Sequence, residues 1–392
     1  MRKCMIEIDY IKGLKTTEVF GIAKYQREIH ERLKGVELNV IEYTGLGRLL
    51  GRWGRAILLP RFQGRPLASP LGSVANNTFI NRIRWGSDII DRYLRYPFLV
   101  RKRVKKGNIR HVTSQELAYL LRLIKLKKTI VTCYDLIPYI YSNTRSLYWR
   151  LNISGMKKAD RIITISEFSK NDIVKHVGYP EAKIRVVYPG VDHDLFYVKR
   201  GREILQKYDI PDDQKIVLYV GSEHPRQNVP LLIKAFGRLR GMLPEVKLLK
   251  VGNPQWRGAR EELLRLIEEL NLQNDVIFVG YVAEEELPRW YNCADLFVYP
   301  CLYTGFSLPC VEAMACGTPV ITSNVSVLPE VVGEGGITVD PYDVEGLARV
   351  MYEVLTDPSL REDLIQKGLQ RARMFSWDKA AEETLKVYEE IQ

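Results

Sequence analysis

The stretch "YTGFSLPCVEAMACGTPV" (303–320) places one acid, Glu312, in a run that is otherwise apolar, small or hydroxylic. Gly305 lets backbone approach a ligand, and Pro309 suits a first helical position. Free amides and the helix dipole at such a start favour phosphate, and a carboxylate there can accept hydrogen bonds from a polyol such as ribose. Capping of its own helix is the competing reading for Glu312. A second loop, "YVGSEHPRQNVPLLIKAF" (219–236), repeats the layout of strand, glycine turn and helix from near Asn228. Its Arg226 offers a planar fork that matches phosphate oxygens, with a solvated surface arginine as the alternative. In the first half, Gly21 stands between strand and helix. "TCYDLIPYIY" sets Tyr134 and Asp135 at a strand end facing a cleft, where Asp135 either orients a sugar hydroxyl or caps the next turn. No Ser–His or paired-carboxylate constellation accompanies these residues.

These loops need elements to hold them. The second half alternates short apolar runs, "KIVLYVG", "VKLLKVG", "DVIFVG", "DLFVYP", "PVITS" and "GITVD", with helical segments. One of these, "REELLRLIEEL", places Leu263, Ile267 and Leu270 on a single face. Apolar strands separated by helices predict a parallel sheet covered on both faces. The first half repeats the rhythm in "CMIEIDY", "VELNVIEY", "NIRHVT", "TIVTCYD", "RIITIS" and "KIRVVYPG". The expected fold class is therefore α/β, with two Rossmann-like doubly wound domains facing across a cleft. "YPGVDHDLF" reads as the linker. We expect domains at 1–193 and 194–374, with a last helix in 375–392. Ligands in such sheets bind beyond the carboxyl ends of the strands, which brings Gly221 and Gly252 into the site.

The chain has 392 residues and a net charge of +11, unevenly spread. Residues 1–200 hold 38 Lys and Arg against 17 Asp and Glu, while the remainder holds 20 against 30. A basic half suggests an anionic partner. Between 45 and 87 there are seven Arg and no acid; Arg48, Arg52 and Arg55 recur opposite Trp53 as on a basic amphipathic helix at an anionic membrane. "VRKRVKKGNIR" adds Arg101, Lys102 and Arg103 to that reading, with a solvated face as the alternative. Nucleic acid is not expected, since stacking aromatics are not interleaved with the basic runs. The acid-free window also lacks the ribose acid of a nicotinamide site. The six cysteines have no metal or redox spacing, and no apolar run reaches membrane-span length, so reduced thiols and a cytoplasmic location at the inner membrane face are expected.

Together, "GFSLPCVEAMACGTPVITS", the "GSEHPRQN" loop, "ADRIITISEFSKNDI", "KIRVVYPGVD" and "FSWDKAAEETLKVYEEI" resemble family 4 of the retaining glycosyltransferases, group 1 type. The resemblance implies the GT-B arrangement and transfer of a sugar from a nucleotide diphosphate donor, without metal or other cofactor. The N-terminal domain would take the acceptor, and the last helix would cross back to it. Glu312 matches the second acid of the family's Glu-x7-Glu motif, which holds ribose. Gly305, Phe306, Ser307 and Leu308 match the loop facing diphosphate and donor sugar; Gly21 matches the first domain's glycine loop. Tyr281 and Val282 match the wall beside the base, and Arg226 the arginine of the phosphate loop. Three positions depart: Thr304 for the motif's first acid, Gln227 for a lysine, and Tyr134 for a histidine before Asp135. The implied activity is a hexosyltransferase, using GDP-mannose or a UDP-sugar, with a lipid-linked or glycan acceptor. The departures also leave open a catalytically impaired nucleotide-sugar-binding protein, or an enzyme with a soluble sugar or sugar-phosphate acceptor.

Overall fold

A computed structural model describes residues 5–14, 20–43 and 89–392. Among them are two six-stranded sheets, and every strand pair is parallel. The first contains β1 (Ile6–Leu14), β2 (Val36–Tyr43), β3 (Ile109–Val112), β4 (Thr129–Cys133), β5 (Arg161–Thr164) and β6 (Ile184–Val186), in the order β2-β1-β3-β4-β5-β6. The second contains β7 (Lys215–Val220), β8 (Val246–Val251), β9 (Val276–Gly280), β10 (Leu296–Tyr299), β11 (Val320–Ser323) and β12 (Gly336–Val339), in the order β12-β11-β10-β7-β8-β9. Both are doubly wound: the order reverses between β1 and β3 in one sheet and between β7 and β10 in the other. A ligand is favoured at such reversals, because the loops from the two flanking strands diverge and leave a crevice.

The apolar runs explain the strands directly. All five residues of β4 and all four of β10 are buried, as required where helices cover both faces. The helix Ala259–Glu269 buries Leu263 and Ile267, but Leu270, expected on the same face, follows the helix end and is exposed.

Two strands of chain link the halves side by side. Val191 forms a parallel bridge with Ser376, and a Cβ on Gly190 would lie 2.2 Å from the Trp377 amide nitrogen. After this crossing, the helix Trp377–Glu389 packs on the first sheet, burying Trp377, Ala381 and Tyr388 with Ile8, Tyr10, Tyr25 and Ile130. Burying one large apolar side chain stabilises by about 2–3 kcal/mol, so this helix is a substantial part of the first domain's core. At its end, Glu390 receives Arg161 at 2.9 Å and Arg185 at 2.7 Å. His111 sits in the same seam, Nδ1 at 2.7 Å from the Tyr388 hydroxyl and Nε2 at 2.7 Å from Thr132 Oγ1.

Candidate active site

The reversal between β7 and β10 carries the two loops singled out above. After β7 the chain turns at Gly221 and reaches a short 3-10 turn, Pro225–Gln227, started by His224 Nδ1 accepting from the Arg226 amide. After β10 the loop runs to the helix Leu308–Ala315, with Pro309 in its first turn. The loops are tied together: the Leu302 amide donates to Arg226 O at 2.7 Å, and the Arg226 guanidinium donates to Tyr303 O at 3.2 Å. Among the described residues no carboxylate pairs with Arg226 within 4.0 Å. Burial would lower the Arg226 pKa, but the surrounding acidic groups, among them Asp135, outweigh it and hold the guanidinium above its ordinary value. Beside it, Gln227 is buried and its Oε1 has no hydrogen-bond partner among the described residues.

The neighbouring strand ends are also glycines, and each is needed. A Cβ on Gly252, at φ 109°, would sit 2.5 Å from Gly221 O, and the Gly252 amide donates to Gly280 O at 2.6 Å. Three backbones thus lie close together below the phosphate loop. Tyr281 and Val282 follow immediately, with Tyr281 60% exposed.

The β10 loop is held from within. Thr304 Oγ1 donates to Phe306 O at 2.6 Å, while Ser326 Oγ accepts from the Thr304 amide and donates to its carbonyl. The Thr304 hydroxyl, expected at the donor sugar, is spent on the loop's own shape. Ser307 caps nothing in its helix and donates instead to Cys310 Sγ at 3.1 Å, so the first-turn amides lack a side-chain acceptor from the cap. Glu312 stands in the second turn rather than the first. It is 5% exposed, and both oxygens are engaged: Oε1 accepts from Lys24 Nζ at 3.1 Å and Oε2 from the Tyr291 hydroxyl at 3.0 Å.

The first domain closes the other side. Gly305 lies so near β4's end that a Cβ there would meet Tyr134 O at 2.5 Å, and Gly305 O accepts from Ser166 Oγ at 3.0 Å. The Tyr134 phenol does not face the cleft as expected: it points into the core, donates to Thr113 O at 2.9 Å and stacks edge-on with Tyr25. Only its carbonyl reaches the site. Asp135 accepts from the Ile137 amide at 3.0 Å, the capping geometry, while remaining close enough to Arg226 to feel its charge. Burial raises the Asp135 carboxyl above its usual range, against the lowering pull of that amide and of Arg226. Gly21 belongs to the first turn of the helix Phe20–Arg32 rather than to a loop, and a Cβ there would meet no atom of the described residues within 4 Å.

Two charged clusters escaped the sequence reading. Lys24, one turn beyond Gly21, bridges Glu312 and Glu284, the latter at 2.7 Å. Burial lowers its pKa, but the two carboxylates win and hold it above the ordinary lysine value. Below the glycine ends, Glu223 is buried between Lys250 and Arg260, and Lys250 donates to Gly252 O at 2.6 Å. The charges of Arg260 and Lys250 overcome burial and hold Glu223 below its usual range, whereas burial wins for Lys250 and lowers it. A lysine inside the apolar run "VKLLKVG" was the available signal for a buried acid nearby, since an unpaired buried ammonium is costly.

The remaining candidates stand apart. Arg101, Lys102 and Arg103 end the helix Tyr96–Arg103 and are exposed. Arg48, Arg52, Trp53 and Arg55 lie outside the described residues. Five cysteines, 133, 293, 301, 310 and 316, are free and buried. Among the described residues no helix is long and apolar enough to cross a membrane.

With this geometry in view, the chain can be compared with known proteins. The family "Glycosyl transferases group 1" matches residues 201–371, and "Glycosyltransferase Family 4" matches residues 55–195. O-antigen chain mannosyltransferase B of Escherichia coli is 33% identical over 276 residues, covering 67% of this chain and 71% of that protein. Other mannosyltransferase relatives are longer, the chain spanning about a third of them. Among solved structures, sucrose-phosphate synthase of Thermosynechococcus elongatus superposes with a TM-score of 0.73 at 23% identity, covering 98% of each chain. Anabaena HepE in complex with UDP and glucose superposes at 0.70 with 17% identity, over 97% of this chain and 98% of that one. At these identities the structures speak for the fold, which is GT-B. The chain belongs to the family 4, group 1 glycosyltransferases.

Proposed function

We propose that the chain transfers a hexose, with retention and without a metal ion, from a nucleotide diphosphate sugar to a lipid-linked or glycan acceptor at the cytoplasmic membrane face. The observation that carries the reading is Arg226, held at the β7–β10 reversal with only carbonyl and thiol contacts from protein and no carboxylate partner among the described residues. The diphosphate would fill that gap. Gln227 Nε2, neutral where the family has a cation, and the amides opening the helix Leu308–Ala315 would share its charge. Gly305, Phe306, Ser307 and Leu308 would wall the donor sugar, with Thr304 acting through the loop it ties. Glu312 would take the ribose, and Gly221, Gly252, Tyr281 and Val282 would border the base. Mannosyltransferase relatives support a mannose donor, and the UDP and glucose held by HepE keep a UDP-sugar as the other choice. The exposed Arg101, Lys102 and Arg103 support contact with an anionic membrane.

In this mechanism the acceptor hydroxyl attacks the anomeric carbon from the face the diphosphate leaves. The departing phosphate takes the proton, and Arg226 meets charge that grows in the transition state. One preorganised donor there is typically worth about 3 kcal/mol, so Arg226→Ala should lower kcat by about 100-fold or more while the protein stays folded. A near-unchanged kcat would remove Arg226 from this role. Thermal shift with GDP against UDP identifies the base, because the preferred nucleotide stabilises the native state by mass action.

A further inference from the structure

Directly after Asp135, the chain forms a short helix, Ile137–Ile140, that ends at Tyr141. Tyr141 is 37% exposed, and its ring lies 6.0 Å from that of Tyr303, which belongs to the second domain. Tyr303 is fixed: its hydroxyl donates to Asp172, its ring meets Phe168 edge-on at 5.5 Å, and its carbonyl holds Arg226. Tyr141 is anchored by its amide, which donates to Ile137 O at 2.9 Å. A single exposed tyrosine needs no explanation. Two that meet across the domain boundary, one residue from Thr304 and beside the arginine of the reaction centre, form a platform at the cleft's rim.

Resting on the transferase reading above, we infer that Tyr141, backed by Tyr303, is a stacking subsite for a neutral pyranose ring of the acceptor. A pyranose presents a face of C–H groups and an edge of hydroxyls. The negative face of an aromatic ring attracts the former, the phenol hydroxyl can bond the latter, and a tyrosine loses little entropy on being fixed. The surroundings are of mixed charge and favour an uncharged ring: Asp135 and Asp172 lie within electrostatic reach of the Tyr303 phenol, while the Arg226 guanidinium, reserved for the diphosphate in this reading, acts on the Tyr141 phenol. Arg145 is turned away, stacked 4.1 Å over Tyr139. Tyr342, 78% exposed on the loop after β12, is near enough to influence the Tyr141 phenol.

Methyl α-D-mannopyranoside serves as the probe, with its binding followed by saturation-transfer NMR and its use as acceptor by transfer kinetics on the full chain. Tyr141→Ala should raise the acceptor KM about tenfold and abolish most of the saturation signal, as expected for loss of one aromatic contact. Tyr141→Phe should retain both to within about threefold, since the ring remains, and the thermal shift given by the nucleotide should be the same in all three proteins. An acceptor KM unchanged in Tyr141→Ala, or equal losses in the Ala and Phe variants, would overturn the subsite. If the wild type gives a saturation signal that Tyr141→Ala loses while no donor turns over, the subsite stands and the transferase reading fails. If the wild type transfers to the probe and Tyr141→Ala does so with the same KM, the subsite falls and the transferase reading survives.

Discussion

At Thr304 a single hydroxyl sets the shape of the donor loop. Its bond to Phe306 O closes a tight turn, and Ser326 clasps the residue's amide and carbonyl from 22 residues away. The sequence shows a threonine where the family carries an acid, and that invites a reading in terms of the sugar. What it hides is the partner: Phe306 O is backbone, and Ser326 belongs to the next strand-to-helix connection. Lys24 and Glu312, 288 positions apart, are hidden for the same reason, because an ion pair across domains leaves no local spacing to read. Thr304→Val keeps the shape and deletes the hydroxyl, leaving a half-buried carbonyl without its donor, a change that typically costs about 1–3 kcal/mol. We expect a lower melting temperature and a raised donor KM, with Thr304→Ser close to wild type in both. If valine left the melting temperature and the donor KM where they were, the hydroxyl would not be holding the loop.

At the scale of elements, the twelve described strands were legible because each is a β-rich run closed by a turn residue, the central ones β4 and β10 wholly buried and edge strands such as β2 and β12 only partly so. Their ends were read less well. Glu312 falls one turn deeper than expected since the helix opens at Leu308, Gly21 lies inside a helix, and the Tyr134 phenol follows the strand's buried side. The seam between the first sheet and the helix Trp377–Glu389 carries a titratable group that sequence position alone did not reveal. His111 is 2% exposed between two hydroxyls, and burial pushes its pKa down from the ordinary 6.5 to about 3. It is therefore neutral in the folded state over a range where the unfolded chain binds a proton. The stability from excluding that proton is complete above pH 6.5. It is lost as pH falls toward 3, with a slope approaching about 1.4 kcal/mol per pH unit. His111→Gln retains a donor and an acceptor without the titration, so its denaturant midpoint should fall less steeply between pH 6 and 4 than that of the wild type. Parallel slopes would show that the ring is reached by solvent protons without unfolding this seam.

For the molecule as a whole, the two domains meet at the site through aromatic contacts, such as Phe168 with Tyr303 and Tyr188 with Phe306, and through polar ones. Lys24 reaches Glu312 and Glu284, Ser166 holds Gly305 O, and Glu330 of the second domain accepts the Glu167 and Phe168 amides at 2.7 and 2.9 Å together with the Tyr188 hydroxyl. A basic first half and an acidic second half suit such a seam, and the asymmetry was visible in the sequence even though the pairs were not. At Gly305 the domains leave no room for a side chain: a Cβ would stand 2.5 Å from Tyr134 O and 2.8 Å from the Asp135 Cβ. Each sheet has its own buried core, and Phe306 packs against both, so a methyl wedged beside it is relieved by parting the domains at that contact rather than by unfolding either sheet. Misplacement of reacting groups by about 1 Å is enough to cost roughly 100-fold in rate. Gly305→Ala should therefore lower kcat by about that factor while leaving the melting temperature within about 2 °C, because the buried strands of neither sheet are disturbed. Small-angle scattering with saturating nucleotide should give a larger radius of gyration for the variant than for the wild type. A variant as compact and as active as the wild type would mean that the cleft works in a more open state than this one, with Gly305 clear of Tyr134.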